Sequence, residues 1–333
     1  MTVKLAINGF GRIGRMVLRA LMERPDAGLE VVAINDLAPR EALAHLFAFD
    51  SVHGRFAGTV TSGEGWLDVG RGKIRLTSDP NPAALPWHDV DIVLECTGQF
   101  RTAEAATAHL RNGASRVLIS APAKGDISTI VYGINHEALS PGDRIVSNAS
   151  CTTNCLVPVA HVLDTAFGIT RGHMTTVHSY TGTQPTHDRA QEDLYRARAA
   201  ALSMIPTTTG AAETLGLVLP GLAGRITGTA IRVPAPNVSC VDLVVETERQ
   251  TTVAEVNDAM RTAAEGPLRG ILGITDSPNV SIDFNHDPRS AIHASDQTAL
   301  QQGNLLRVLS WYDNEWGFSN RMLDVAAFMG RQG

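Results

Sequence analysis

Val3-Lys4-Leu5-Ala6-Ile7-Asn8-Gly9-Phe10-Gly11-Arg12-Ile13-Gly14 opens the chain. Its first six residues read as a short buried strand. Gly9, Gly11 and Gly14 then satisfy the pattern G-x-G-x-x-G. Ile13, Val17, Leu18 and Leu21 recur at helical spacing, with a stop before Pro25. In a strand–turn–helix unit the first glycine permits the turn and the second lets a pyrophosphate approach the backbone. The third lets the helix close on the strand. The free N–H groups of the helix start then face the phosphates. Asp36 follows Gly14 by 22 residues, at the end of the next strand candidate, residues 31–34. A carboxylate there accepts hydrogen bonds from an adenosine ribose and repels a 2′-phosphate, which selects NAD over NADP. Arg12 and Ile13 stand where cofactor phosphates would lie, although Ile13 serves equally well as helix packing. Thr97-Gly98, after the strand candidate 90–95, and Ser120, closing the candidate 117–120, are placed at the cofactor edge.

Working outward, a helix candidate at 103–110 lies between those two strands. The alternation predicts a mostly parallel sheet covered on both faces. The pattern changes near Ser150. Residues 151–167 read as a helix with Cys155, Leu156, Val159, Val162 and Leu163 turned inward, and residues 174–180 as a strand carrying His178. A polar loop follows, then strands at 230–233 and 238–247, a helix at 253–264, a strand at 308–311 and a closing helix at 321–329. The fold class expected is α/β, with an N-terminal Rossmann-type dinucleotide-binding domain. A second α+β domain is built on a mixed or antiparallel sheet.

The 333 residues suffice for two cores of ordinary domain size. Apolar residues make up 44% and charged residues 19%, the balance of a soluble globular chain. A formal net charge of −6 argues against nucleic acid as the main partner, so any phosphate site must be a local cluster. No stretch is apolar enough to span a bilayer, and the N-terminus lacks the pattern of a signal peptide. Four cysteines, Cys96, Cys151, Cys155 and Cys240, form no disulfide framework, and a cytoplasmic setting is the simplest. No metal site is expected: Cys151 and Cys155 lack a second cysteine pair or a suitably spaced histidine. Cys155, Cys96 and Cys240 read as buried core residues.

The run Ser147-Asn148-Ala149-Ser150-Cys151-Thr152-Thr153-Asn154-Cys155 carries the chemistry. It puts Cys151 at a helix start, where the helix dipole favours a thiolate. A histidine can pair with that thiolate or take its proton, and His178 is the candidate. Taken alone, a histidine on a strand is more often structural than catalytic. Arg196 and Arg232 suit phosphate because their planar donors bond it in pairs, though each could equally be an ion-pair residue. Thr208-Thr209-Gly210 precedes a helix candidate at 211–218 and offers either an anion cradle or a plain cap.

Together these segments resemble the phosphorylating glyceraldehyde-3-phosphate dehydrogenase family, bacterial type. Asn8 to Arg15 resembles its cofactor motif, and Ser147 to Asn154 its active-site signature. Met174-Thr175-Thr176-Val177-His178, Ile231-Arg232-Val233-Pro234 and Trp311-Tyr312-Asp313-Asn314-Glu315-Trp316-Gly317 match further segments. The resemblance covers essentially the whole chain. It implies Cys151 as nucleophile and His178 as its activator. It implies Thr181 and Arg232 for the phosphate of the bound aldehyde. Ser150, Thr152, Arg196, Thr209 and Gly210 would hold the attacking inorganic phosphate or an alternate substrate phosphate. Asn314 would contact the nicotinamide amide. The implied domains are residues 1–149 plus 315–333 for the cofactor, with a returning C-terminal helix, and residues 150–314 for catalysis. A homotetramer is implied, with residues 181–198 bordering a neighbour's cofactor region. So is a place in glycolysis and gluconeogenesis.

The chain departs from that family at Glu213, where lysine is usual, at Phe318 for tyrosine and at Thr183 for aspartate. His187, Arg189 and Ala190 also differ in the loop. Erythrose-4-phosphate dehydrogenase is the rival enzyme. A redox-responsive protein that binds nucleotide or RNA is the rival of another class.

Overall fold

Four consecutive buried residues, Ile92–Glu95, and the strand Val3–Asn8 pair in parallel at the middle of a nine-stranded sheet. The computed structural model describes residues 2–332; Met1 and Gly333 lie outside the described residues. From one edge the strand order is Ser128–Thr129, Ile145–Ser147, Arg116–Ile119, Ile92–Glu95, Val3–Asn8, Leu29–Asn35, Lys73–Thr77, Trp66–Asp68 and Thr61–Gly63. The first seven run parallel, as the alternation predicted. The last two close the edge as an antiparallel hairpin that the sequence reading did not foresee. Near-continuous apolar runs suit strands covered on both faces, and Leu5, Ala6, Ile7, Val93 and Leu94 are fully buried. The helix Arg12–Glu23 lays Met16, Val17 and Leu21 on this core.

Chain order reverses at Val3–Asn8. Its neighbour on one side is the next strand, Leu29–Asn35, and on the other the much later Ile92–Glu95. Such a switch point opens a crevice outside the carboxyl ends of the strands, where ligands of open α/β sheets bind.

By contact density the chain divides into two units, Met1–Ala149 with Ser319–Gly333, and Ser150–Phe318. The second is built on an eight-stranded mixed sheet. Ile169–Ser179 pairs in parallel with Ile226–Val233 and antiparallel with Ser239–Thr247, which pairs antiparallel with Leu305–Tyr312. The helix Cys151–Phe167 buries Cys155, Leu156, Val159, Val162 and Leu163, all expected to face inward. The closing helix spans Trp316–Arg331 and so starts five residues before the expected Arg321. Asp313 explains the early start. Its Oδ1 accepts from the N–H groups of Glu315 (2.9 Å) and Trp316 (2.8 Å), the geometry of an N-cap. Gly317 lies inside the helix at a close approach: a Cβ there would lie 2.6 Å from the Arg289 carbonyl oxygen.

Candidate active site

At the switch point Asn8, Gly9, Gly11, Asn35, Asp36 and Thr97 line a cleft of about 330 Å³. The three glycines differ in what they permit. Gly9 sits at φ +92°, and a Cβ on it would lie 2.8 Å from the Thr97 nitrogen. A Cβ on Gly14 would overlap the Gly9 carbonyl oxygen. At Gly11 a Cβ meets no protein atom. Gly11 is also the N-cap of Arg12–Glu23 and makes no side-chain cap bond there. An uncapped helix start behind an open glycine fits a dinucleotide pyrophosphate. Ile13 is half-buried at this start. Arg12 is held there by an ion pair with Asp50. Burial pushes the Asp50 carboxyl up, but Arg12 and the N–H groups of His53 and Val52 outweigh it and hold it at about 2. Asp36 is oriented by two backbone donors, Phe10 N–H (2.7 Å) and Ala38 N–H (2.9 Å). Gly98 adopts φ +72°, and Ser120 donates its backbone N–H to the Glu95 carbonyl at 3.0 Å. Cys96 was expected in the core; instead it is half-buried and lines this cleft, because the strand ends one residue before it.

In the second unit Cys151 opens its helix, behind Ser150 as N-cap. The Ser150 hydroxyl accepts from the Thr153 N–H at 3.1 Å. Cys151 Sγ lies 3.5 Å from His178 Nε2. Strand register supplies the rest: His178 and Arg232 are direct partners on adjacent parallel strands. Arg232 Nη1 sits 2.9 Å from both His178 Nδ1 and the Ser179 carbonyl oxygen, which is itself 2.7 Å from Nδ1. A proton on Nδ1 donates to the Ser179 carbonyl and leaves the Nε2 lone pair facing sulfur. With Arg232 donating to Nδ1, the proton faces sulfur instead. The surroundings therefore accommodate both neutral forms.

Electrostatics favour the uncharged pair at rest. Burial, followed by the Arg232 charge, pushes His178 down to about 3. Burial also raises the Cys151 thiol. Arg232 and the N–H groups of Thr152 and Cys151 pull it part of the way back.

The other expected site residues have these surroundings. Arg196 is close enough to Arg232 for its charge to be felt there, and its Nε donates to Thr207 Oγ1 at 2.9 Å. Thr181 Oγ1 pairs with Thr183 Oγ1 at 3.0 Å. Thr209 Oγ1 accepts from the Ala211 N–H at 3.2 Å, while Gly210 is an N-cap without a side-chain bond. Glu213 is exposed and turns its carboxylate back to 3.6 Å from where a Gly210 Cβ would stand. Asn314 Oδ1 accepts from Ser179 Oγ (2.9 Å) and Ser239 Oγ (3.0 Å), which leaves its amide N–H groups for a ligand carbonyl. Thr152 turns its hydroxyl toward Tyr312 as well as toward Cys151. Its buried hydroxyl bonds the Tyr312 hydroxyl at 2.9 Å, and Tyr312 in turn bonds Thr176 Oγ1 at 2.9 Å.

Sequence reasoning gave Tyr312 no role. It ties the cysteine helix to the histidine strand and presents its ring to His178 at 80°. The available signal was a tyrosine closing a strand rich in apolar residues, Leu305–Tyr312, where a buried hydroxyl needs a partner.

Comparison with known proteins agrees over the full length. A family described as "Glyceraldehyde 3-phosphate dehydrogenase, NAD binding domain" matches residues 3–103, and one described as "Glyceraldehyde 3-phosphate dehydrogenase, C-terminal domain" matches residues 150–314. The chain is 64% identical to the glyceraldehyde-3-phosphate dehydrogenase of Cereibacter sphaeroides, over 99% of each chain. It is 61% identical to that of Xanthobacter flavus and 51% to that of Geobacillus stearothermophilus, each over 100% of both chains.

Proposed function

The chain belongs to the glyceraldehyde-3-phosphate dehydrogenase family, and from that premise we propose how its own residues carry the reaction. It is an NAD-dependent dehydrogenase that converts D-glyceraldehyde 3-phosphate and inorganic phosphate to 1,3-bisphosphoglycerate. The observation that carries the residue assignment is Cys151 Sγ at 3.5 Å from His178 Nε2, with Arg232 beside the imidazole.

The raised thiol and the lowered imidazole make His178 a general base that acts during attack, not half of a standing ion pair. As Sγ adds to the aldehyde carbon, its proton passes to Nε2. The new oxyanion is stabilised by that Nε2–H and by the Cys151 backbone N–H at the helix start. NAD, when bound, supplies the hydride acceptor. Gly9, Gly11, Arg12, Ile13, Gly14, Asp36, Thr97, Gly98 and Ser120 would hold it, and Asn314 would take its nicotinamide amide. Loss of hydride from the carbon leaves a thioester on Cys151, which conserves the free energy of oxidation in a reactive acyl group. Phosphate attack on that acyl carbon expels the thiolate, and His178 returns a proton to it.

Thr181 and Arg232 bind the phosphate of the aldehyde. Ser150, Arg196, Thr209 and Gly210 bind the attacking phosphate, together with Thr152 through its backbone N–H, since its hydroxyl is engaged by Tyr312. The unit Met1–Ala149 with the C-terminal residues is the cofactor domain, and Ser150–Phe318 the catalytic domain. A cytoplasmic homotetramer acting in glycolysis and gluconeogenesis fits this reading. Leu194 and Tyr195, 80% and 64% exposed within the segment assigned to a neighbour, support it, as do Leu202 and Met204 just beyond that segment, 81% and 75% exposed. Among the described residues no helix is long and apolar enough to cross a membrane.

The test is NADH formation from glyceraldehyde 3-phosphate with and without phosphate, repeated with Cys151→Ser and with erythrose 4-phosphate. Phosphate-dependent turnover that vanishes in the variant is expected. Full activity of Cys151→Ser would overturn the covalent route. Efficient phosphate-independent oxidation of erythrose 4-phosphate would favour the rival enzyme.

A further inference from the structure

Beneath the cofactor cleft lies a wholly buried carboxylate that the reaction does not use. Glu95 ends the central strand and has no exposed surface; neither do His109 and Trp87. The hydrogen bonds around it have one possible direction. An indole N–H only donates, so Trp87 Nε1, 2.9 Å from His109 Nδ1, makes that nitrogen the acceptor. The imidazole proton then sits on Nε2 and is donated to Glu95 Oε2 at 3.0 Å. Asn8 Nδ2 donates to the same oxygen at 2.6 Å, and Asn35 Nδ2 donates to Asn8 Oδ1 at 2.8 Å. On the other oxygen, Oε1, the Thr97 N–H donates at 2.9 Å and the Thr97 hydroxyl donates as well. The Thr97 hydroxyl oxygen then accepts from the Gln99 N–H at 3.1 Å. Every donor converges on Glu95, and no cation meets it in these bonds.

Asn8, Asn35, Thr97 and Gln99 all line the cleft, and they come from the ends of three different strands. One acceptor with two oxygens therefore gathers the loops that form the cleft wall. We propose that Glu95, accepting from His109 Nε2, Asn8 and Thr97, is a positioning residue for NAD: it presets the Thr97 loop and the Asn8 side chain for the dinucleotide. This rests on the assignment of that cleft to the cofactor. An amide in place of Glu95 has one acceptor oxygen and turns an NH₂ group onto existing donors, so the loop geometry changes without loss of volume.

The experiment measures the NAD dissociation constant by calorimetry, KM for NAD against kcat, and the rate of Cys151 alkylation. It compares wild type, Glu95→Gln, His109→Gln, His109→Leu and Thr97→Val. Glu95→Gln is expected to raise both Kd and KM for NAD about tenfold, with the larger part of the loss in KM and not in kcat. Alkylation of Cys151, in the other unit, should stay within about twofold. A merely structural role would instead lower the folded fraction and leave KM unmoved. His109→Gln offers one donor and one acceptor in the same order and should restore near wild-type affinity, whereas His109→Leu should weaken NAD. If Glu95→Gln does not fold, that pair decides the matter: equal affinities for the two overturn the proposal. Unchanged Kd and KM in a folded Glu95→Gln overturn it directly. Unchanged affinity in Thr97→Val would instead break the assignment of the loop to the cofactor.

Discussion

Two helix starts divide the work of this chain, and they are capped in opposite ways. After Gly11 the helix Arg12–Glu23 begins with no side-chain cap from its N-cap residue and with open space where a Cβ would be. After Ser150 the helix Cys151–Phe167 begins with its cap satisfied by the serine hydroxyl, leaving the first-turn N–H groups to act on a resident sulfur. The bare start suits an anion that arrives and leaves; the capped one holds a reacting atom of the protein in place. The same backbone dipole serves binding in one unit and chemistry in the other.

The largest expected effect breaks the second half of this comparison. Cys151→Ser should lose about 10⁴-fold or more in turnover, read as NADH formation at saturating substrates, while NAD affinity by calorimetry stays near wild type. Paired glycine substitutions separate binding from folding in the first half. Gly9→Ala must place a Cβ at positive φ against the Thr97 backbone and should destabilise the protein by about 1–3 kcal/mol in denaturant unfolding. Gly11→Ala meets no protein atom, so stability should hold while KM for NAD rises about tenfold.

A smaller effect sharpens the electrostatic contrast. Arg232 opposes the burial that raises the Cys151 thiol. Arg232→Gln should therefore move the pH midpoint of iodoacetamide alkylation upward and slow the reaction at neutral pH about tenfold. Stability should also depend on pH through the second unit. His178 is pushed down to about 3, and His293, bonded through Nε2 to Asn257, down to about 4, both chiefly by burial, from 6.5. The unfolded chain binds these protons first. Stability is thus complete above pH 6.5 and falls as the pH drops toward those lowered values, by about 1.4 kcal/mol per pH unit for each proton. His293→Gln should halve that slope in urea unfolding across pH 6 to about 4.5. Least of all, Ser150→Ala should cost about 1 kcal/mol, seen as a lower melting temperature with KM for NAD unchanged.

Much of this was legible because it is local. The strand Val3–Asn8, the glycine turn and the helix Cys151–Phe167 are each specified by residues a few positions apart. The meeting of Cys151, His178 and Arg232 depends on strand register, and only the family resemblance supplied it beforehand. The hairpin Thr61–Gly63 with Trp66–Asp68 was missed because its strands are short and weakly alternating. Glu95 and His109 were passed over for a different reason. Each sits in an apolar segment where a charged or polar residue looks incidental until its partners come from distant strands. Ala149 gave no sign of its left-handed backbone at φ 56°, immediately before the cap of the cysteine helix.

The parallel pairing of Ile169–Ser179 with Ile226–Val233 carries a consequence for variation by insertion and deletion. Residues 180–225 join those two strands by a long excursion, so that stretch can gain or lose residues outside its own strand Ile205–Thr207, which pairs with Ile226–Val233, and leave the parallel ladder intact. A single deletion inside either strand would turn Arg232 or His178 to the opposite face of the sheet. Length changes within this protein should therefore be lethal to turnover in the two strands, and tolerated in the excursion only where they leave Thr181, Arg196, Thr209, Gly210 and the strand Ile205–Thr207 in place.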